Sequence, residues 1–405
     1  MRMIILTQYY PPEMGAPQGR LSALAAELAR RGHVVTVLTA MPNYPAGRVD
    51  LRYGGVFRRE RADGVEVVRT WIHPTRRTAF IPRVASYLSF AMSSAVAGAA
   101  KLPRADYLLV ESPPLLLGPT AVALSRLKRA RLVFNVSDLW PESAVRLGAL
   151  RPGGAAHRLA LRLEAFCYRS AWMVTGQSRE IVADVQRRFP GTRTHHLSNG
   201  VDTAAFHPGR GSGEARALLG GAGGCVAVYV GLHGLAQGLR QLLDAADVLR
   251  DLPSLRIVLV GDGPEKEALA AEARARALGA VTLLDAVPRD RVPALLAAAD
   301  VVLVPLATAL PGAVPSKLYE AMASGRPVLL AATGEAAEIV RDVDAGLVVS
   351  PGDAPRLAEA LRMLAGDPGL RARLGANGRR AAEAHFDRAA ICGAFIDLLE
   401  REAKG

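Results

Sequence analysis

Residues 225–264 read CVAVYVGLHGLAQGLRQLLDAADVLRDLPSLRIVLVGDGP. An apolar run at 226–230 ends in a loop of small residues, Gly231 to Gly238, and a helical segment follows at 239–250. A second apolar run at 256–260 ends in a second such loop, Gly261-Asp262-Gly263-Pro264. Strand, loop, helix and strand are thus legible by periodicity within forty residues. The alternation continues with helix 264–278, strand 281–284, helix 292–298, strand 301–305, helix 316–323 and strand 327–331. Strands separated by helices predict a parallel sheet covered on both faces.

The beginning of the chain repeats the pattern. An apolar run at 3–6 leads into a Pro/Gly-rich loop at 11–19 and an amphipathic helix at 21–31, with strand 34–38 after it. Leu21, Leu24, Ala25 and Leu28 fall at helical spacing, and Gly32 stops the helix. Further strands are expected at 65–69, 107–111, 132–136 and 172–175. Between the two alternating regions, 206–224 carries Pro208 and seven glycines around a short helix at 214–219, and reads as an interdomain connection. The expected architecture is therefore α/β: two doubly wound domains, 1–204 and 205–385, with a last helix in 386–405 that could pack back on the first. Such sheets bind ligands beyond the carboxyl ends of their strands, so two facing domains place the site in the cleft between them.

Composition limits the function classes. At 405 residues, 50% hydrophobic and 22% charged, the chain is a folded protein of two-domain size. Cys167, Cys225 and Cys392 are widely spaced, which excludes a disulfide framework or a cysteine-rich metal site and suits a reducing compartment. The formal charge of +12 is concentrated early: residues 1–200 hold 28 basic against 13 acidic side chains, the remainder 22 against 25. A basic half points to nucleic acid, an anionic membrane or a phosphorylated partner, or reflects an arginine-rich composition. No secretory signal is expected at the start. The longest apolar stretch, 84–100, contains Ser86, Ser89, Ser93 and Ser94 and is short for a membrane span, though it could lie on a surface.

Five segments could carry chemistry. The loop containing Gly15 precedes a helix whose amides could hold an anion. Loops 231–238, with His233 and Gln237, and 261–264, with Gly261 and Gly263, lack the dinucleotide fingerprint and the Walker lysine, yet could wall a nucleotide. Each also reads as an ordinary tight connection. In Pro315-Ser316-Lys317-Leu318-Tyr319-Glu320, Ser316 is expected to cap a helix whose first turn faces a phosphate, with Lys317 adding charge and Glu320 free to meet a ligand. Asp138-Leu139-Trp140-Pro141-Glu142-Ser143 joins acidic groups to an indole at a strand end, suiting sugar recognition or base chemistry as well as a plain helix start. Nothing in the sequence requires a metal: HExxH and DxD pairs are absent, and His195 and His196 would point apart on a strand.

Together with Gln8-Tyr9-Tyr10-Pro11-Pro12-Glu13 and Asn199-Gly200-Val201-Asp202, these segments resemble the retaining glycosyltransferase family 4 over nearly the whole chain, and within it the WbuB/WcaI-like transferases of surface-polysaccharide assembly. The resemblance implies a GT-B fold of two facing Rossmann-like domains, acceptor on the first and UDP-sugar on the second, with no metal required. Gly231, His233, Gln237, Gly261 and Gly263 would line the nucleotide, Pro315, Ser316, Lys317 and Leu318 the diphosphate, and Glu320 the ribose. Gly15 and Asp138 would face donor phosphate and acceptor. Departures are Gly312, Leu232 and Gln237, where many members carry a glutamate, an arginine and a lysine; Lys317 and an arginine of the first domain would supply the missing charge. The implied acceptor is a polyprenyl-diphosphate-linked saccharide, met at the inner face of the cytoplasmic membrane. Segment 75–104, with Arg76, Arg77, Arg83, Lys101 and Arg104 around apolar residues, would rest on that surface or pack on its own domain. Alternatives are a soluble acceptor and an inactive GT-B scaffold with a binding role; no nucleic-acid recognition motif supports the latter's use of the charge.

Overall fold

The computed structural model describes the whole chain except residues 14, 45–46, 76–79, 222 and 405. It divides into two units: Met1–Asn199 with Arg388–Gly405, and Gly200–Asp387.

In the first unit, strands β1 (Arg2–Leu6), β2 (Val34–Ala40), β3 (Phe57–Ala62), β4 (Val65–Thr70), β5 (Tyr107–Ser112), β6 (Arg131–Val136), β7 (Met173–Gly176) and β8 (Thr194–His196) form one sheet. Their order is β3-β4-β2-β1-β5-β6-β7-β8. All neighbours run parallel except β3 against β4, where Phe57 lies opposite Thr70. The central strands are apolar on both faces because helices cover both. Ile4 and Leu6 join Val110 and Phe134 on one side; Met3 and Ile5 join Leu21, Leu24 and Leu28 of helix α1 (Ala16–Arg30) on the other. The final helix, Arg388–Lys404, completes that second layer with Cys392, Phe395, Ile396 and Leu399. The Tyr107 hydroxyl donates to the Leu399 carbonyl at 2.9 Å.

The second unit holds β9 (Cys225–Val230), β10 (Leu255–Val260), β11 (Val281–Leu284), β12 (Val301–Pro305), β13 (Val328–Ala331) and β14 (Gly346–Val349). The order is β11-β10-β9-β12-β13-β14, all parallel, so the winding direction reverses between β9 and β12. Successive β9 side chains serve opposite layers: Val226 and Val228 in one, Ala227 and Tyr229 in the other.

The glycine-rich stretch 206–224 is not the connection between units. It belongs to the second, where Phe206, Ala215 and Leu219 are buried in the core. The chain crosses at Asn199-Gly200 and returns at Asp387-Arg388. Helix α1 starts five residues before the expected 21, with a proline in its first turn, where a missing amide proton costs nothing. The apolar stretch 84–100 extends to helix α2 (Phe80–Lys101). Among the described residues no helix is long and apolar enough to cross a membrane.

Candidate functional site

The loops after β9 and β12 diverge where the strand order reverses, which opens a crevice in a doubly wound sheet. Most of the residues singled out by sequence collect there. Gly231 and Gly261 leave β9 and β10 with φ of +151° and +155°. Their amides donate to the Val260 carbonyl at 2.9 Å and the Leu284 carbonyl at 3.1 Å. A Cβ on Gly261 would overlap the Gly231 carbonyl oxygen and stand 3.0 Å from His233 Nε2. Glycine is therefore required there twice over, by backbone angle and by space. Gly263 packs as closely, since a Cβ on it would lie 2.8 Å from the His233 backbone nitrogen.

Helix Ser316–Ala323 brings Lys317 over this floor. A Cβ on Gly231 would sit 2.8 Å from Lys317 Nζ, which lies 5.4 Å from the centre of the Tyr229 ring. Tyr229 is fixed in turn, its hydroxyl donating to the Leu232 carbonyl at 2.7 Å. Among the described residues the ammonium has no hydrogen-bond or ion-pair partner. Burial lowers its pKa, Glu320 opposes that shift and Arg289 adds to it. The result is an ammonium group held near an aromatic face with no carboxylate directly paired to it among the described residues.

Ser316 is not the cap of this helix. Pro315 occupies that place, with φ −62° and ψ 134°, and its carbonyl accepts from the Leu318 amide at 3.0 Å. The register shifts by one because the cap is defined by backbone angles, not by the hydroxyl. No side chain closes the first turn. Its leading amides join Lys317 as donors for an anion. Leu318 is core, 0% exposed.

Glu320, 6% exposed, accepts from Arg289 Nη2 at 3.3 Å. Sequence reasoning missed Arg289, because nothing local separates it from Arg291, which pairs outward with Glu214 at 3.2 Å. His233, expected as a loop side chain, is fully buried beneath the glycine turns, and neither ring nitrogen has a hydrogen-bond partner among the described residues. Burial, reinforced by Lys266 and opposed by Asp262, lowers its pKa. Gln237 closes a short turn, its amide donating to the Gly234 carbonyl at 3.1 Å.

Gly15 and Asp138 belong to the first unit. Gly15 stands before α1 with extended backbone, and its carbonyl accepts from the Gly19 amide at 3.0 Å. Asp138 lies two residues beyond β6; Ser143 Oγ donates to its Oδ2 at 2.7 Å, and burial raises its pKa. Beneath it runs a buried network the sequence did not disclose. Arg20 Nη2 donates to both Glu111 oxygens and to Ser137 Oγ, each at 2.8 Å, and Asn135 Nδ2 donates to Glu111 Oε2 at 2.6 Å. Arg20 also donates to Asn199, whose carbonyl accepts from Arg388 Nε at 3.0 Å. The network thus fixes the two residues at which the chain leaves and re-enters this unit. Among the described residues no three His, Cys, Asp or Glu side chains form a metal-holding group.

Comparison with known proteins agrees with the two-part architecture. Residues 15–200 match the model of the glycosyl transferase 4-like domain, and 222–381 that of glycosyl transferases group 1. WcaI of Escherichia coli, named for colanic acid biosynthesis, is 27% identical over 350 residues, 82% of this chain and 83% of that protein. A GDP-mannose-dependent α-(1-6)-phosphatidylinositol monomannoside mannosyltransferase of Mycolicibacterium smegmatis is 30% identical over 319 residues, covering 70% of this chain and 81% of its own. A D-inositol 3-phosphate glycosyltransferase of Acidothermus cellulolyticus is 37% identical over 216 residues, 49% of this chain and 47% of that one. The crystal structure of Anabaena HepE in complex with UDP-glucose superposes with a TM-score of 0.72, covering 99% of this chain and 100% of that one at 20% identity. The fold is GT-B, built from two Rossmann-like units.

Proposed function

Since the chain belongs to the glycosyltransferases with a 4-like amino-terminal and a group 1 carboxyl-terminal domain, we propose that it moves a sugar, with retention of anomeric configuration, from a UDP-sugar on the second unit to a hydroxyl of a soluble small-molecule acceptor on the first. The observation that carries this reading is Lys317. An ammonium with no directly paired carboxylate among the described residues, seated on Tyr229 above Gly231 and beside an uncapped helix turn, suits a diphosphate. Glu320, within reach of the same crevice, would accept from the ribose hydroxyls.

In the transfer, the bond from the anomeric carbon to the diphosphate oxygen breaks and the acceptor oxygen bonds to the same face of that carbon. The acceptor proton passes to the leaving diphosphate. Negative charge grows on that diphosphate as the bond lengthens, and Lys317 with the Ser316 and Lys317 amides stabilises it without having to reorganise. Asp138 would orient the acceptor hydroxyl. No metal is needed for these steps.

A second acceptor reading rests on α2. Leu88, Met92 and Val96 are exposed at successive helical turns, 45%, 70% and 72%, with Arg83, Lys101 and Arg104 near the ends of the same segment. An apolar stripe flanked by cations suits an anionic lipid surface and a polyprenyl-diphosphate-linked acceptor at the inner face of the membrane. Arg76 and Arg77, which would add to it, lie outside the described residues, as do the side chains of Phe80 and Ile81.

The test is calorimetric titration with UDP, GDP and TDP and their sugar conjugates, with magnesium and with EDTA. UDP is expected to bind equally in both, and Lys317→Ala to weaken it roughly 10- to 100-fold, the worth of a charge-assisted hydrogen bond. Preference for GDP would overturn the donor assignment. Absence of any nucleotide binding, or an unchanged Lys317→Ala, would overturn the donor site and favour a scaffold role.

A further inference from the structure

The amino ends of the central strands of the first sheet carry cations that the transfer does not use. The order β2-β1-β5-β6 sets side by side Val34, which starts β2, Arg2, which starts β1, Arg104 and Asp106, just before β5, and Lys128 and Arg129, just before β6. Backbone pairing locks this end: the Asp106 amide donates to the Arg2 carbonyl and the Arg131 amide to the Asp106 carbonyl, each at 2.9 Å. Val34, Arg2, Arg104, Asp106, Lys128 and Arg129 line one cavity of about 530 Å³. Gly15 and Asp138, assigned to the transfer, instead follow the carboxyl ends of β1 and β6.

The cavity is strongly positive. Arg2, Arg104, Lys128 and Arg129 line it against the single carboxylate of Asp106, whose Oδ2 accepts from the Arg2 amide at 2.7 Å. Among the described residues none of these four cations forms an ion pair. Carboxylates on the final helix are engaged elsewhere: Glu400 meets His33 Nε2 at 2.7 Å, and Glu402 pairs with Arg193. Lys128, 8% exposed, donates to the Ala99 and Leu102 carbonyls at 2.8 and 2.6 Å, which leaves one of its three ammonium protons. Arg129 follows helix α3 (Gly118–Lys128) with φ +57°, in the left-handed region where glycine is usual. An arginine at that position brings the cavity a guanidinium that glycine would not supply.

We propose that this cavity is a second binding site, for a soluble molecule bearing a chain of two or three phosphates. Planar guanidiniums meet phosphate oxygens in pairs of hydrogen bonds, so three of them suit several phosphates in a row. Four cations against one carboxylate leave a surplus of three charges, which a di- or triphosphate matches better than a single phosphate. The volume is that of a small-molecule site and exceeds what one phosphate fills. Val34, 56% exposed, and Ala105 add an apolar wall for a base. A concavity, as opposed to a flat basic patch, suits a soluble ligand over a lipid headgroup. The site shares no residue with the crevice around Lys317 and does not depend on the transferase reading.

The test is calorimetric titration of the full chain with ATP and with inorganic triphosphate, without magnesium and with UDP present in excess. The expected result is one ligand bound per chain, weakened roughly tenfold or more in the double variant Arg104→Gln with Arg129→Gln and retained in Lys317→Ala. Tighter binding of ATP would show that the apolar wall holds the base; equal binding would show that the phosphate chain alone is recognised. Both support the site. No binding in the presence of UDP, binding lost in Lys317→Ala, binding unchanged in the double variant, or equal affinity for citrate overturns the proposal. So does association with phosphatidylglycerol vesicles through the same arginines when neither soluble ligand binds. An unchanged melting temperature of the double variant shows an intact fold. Failure of wild type to bind UDP counts against the donor assignment alone, since the Lys317→Ala arm still separates the two sites.

Discussion

Glu13 offers a quantitative test of how the opening loop is held. Its carboxylate, 5% exposed, accepts from the backbone amides of Asn43 and Tyr44 at 2.8 Å each and from that of Tyr10 at 3.3 Å. Two effects oppose each other. Three amide donors favour the charged form, while burial disfavours it; burial wins, pushing the pKa up to about 7 from the ordinary 4.5. Below pH 4.5 folded and unfolded chains both hold the proton, and the contribution to stability is fully present. As pH rises toward about 7 the unfolded chain releases it and the folded one does not, so stability falls. At about 1.4 kcal/mol per pH unit, the interval amounts to about 3 kcal/mol. Glu13→Gln is neutral throughout, and its carboxamide oxygen can still accept from Asn43 and Tyr44. The melting temperature of wild type relative to the variant should therefore drop by about 6 °C between pH 4.5 and pH 8, at about 2 °C per kcal/mol for a unit of this size. Differential scanning calorimetry of both proteins across that range reads it directly. Parallel profiles would refute the burial argument, and a wild type that gained on the variant with rising pH would show that the three amides dominate.

Two further substitutions probe the two units. Gly261→Ala places a methyl against the Gly231 carbonyl at φ +155°, and is expected to destabilise the second unit by about 2 kcal/mol or more and to abolish UDP binding, read by thermal shift and calorimetry. Arg20→Ala strands the Glu111 carboxylate, 2% exposed, and should cost about 3–5 kcal/mol in urea unfolding, whereas the double change Arg20→Met with Glu111→Leu should recover most of it. A double variant no more stable than Arg20→Ala would show that the pair is worth more than the apolar packing replacing it.

How far the sequence revealed all this depends on whether each feature is local. The runs that became β9, β10 and β12 are apolar along their length because parallel strands are covered on both faces, and the glycines after β9 and β10 announce themselves by type. That is enough to locate the crevice. Strand β3 escaped because Phe-Arg-Arg-Glu-Arg-Ala has no apolar alternation; its place at the sheet edge is set by pairing with β4, not by its own side chains. The stretch 206–224 misled for the converse reason: its glycines read as a connection, although Phe206 and Leu219 are core.

The site divides along the same line. Lys317 and Glu320 share one helix, so their spacing is visible as text. Arg289, Arg20 and Glu111 acquire meaning only through partners far along the chain. Arg20 illustrates the limit. It precedes Leu21 on α1 and has no local mark of burial, yet it meets Glu111 ninety-one residues away because β1 and β5 are neighbours in the sheet. The unpaired cations matter most for function. In a chain with 50 basic and 38 acidic residues, charge alone identifies nothing. Lys317 stands out because the Tyr229 ring lies beside it and, among the described residues, no carboxylate pairs with it directly, which suits an anion that the fold itself does not provide.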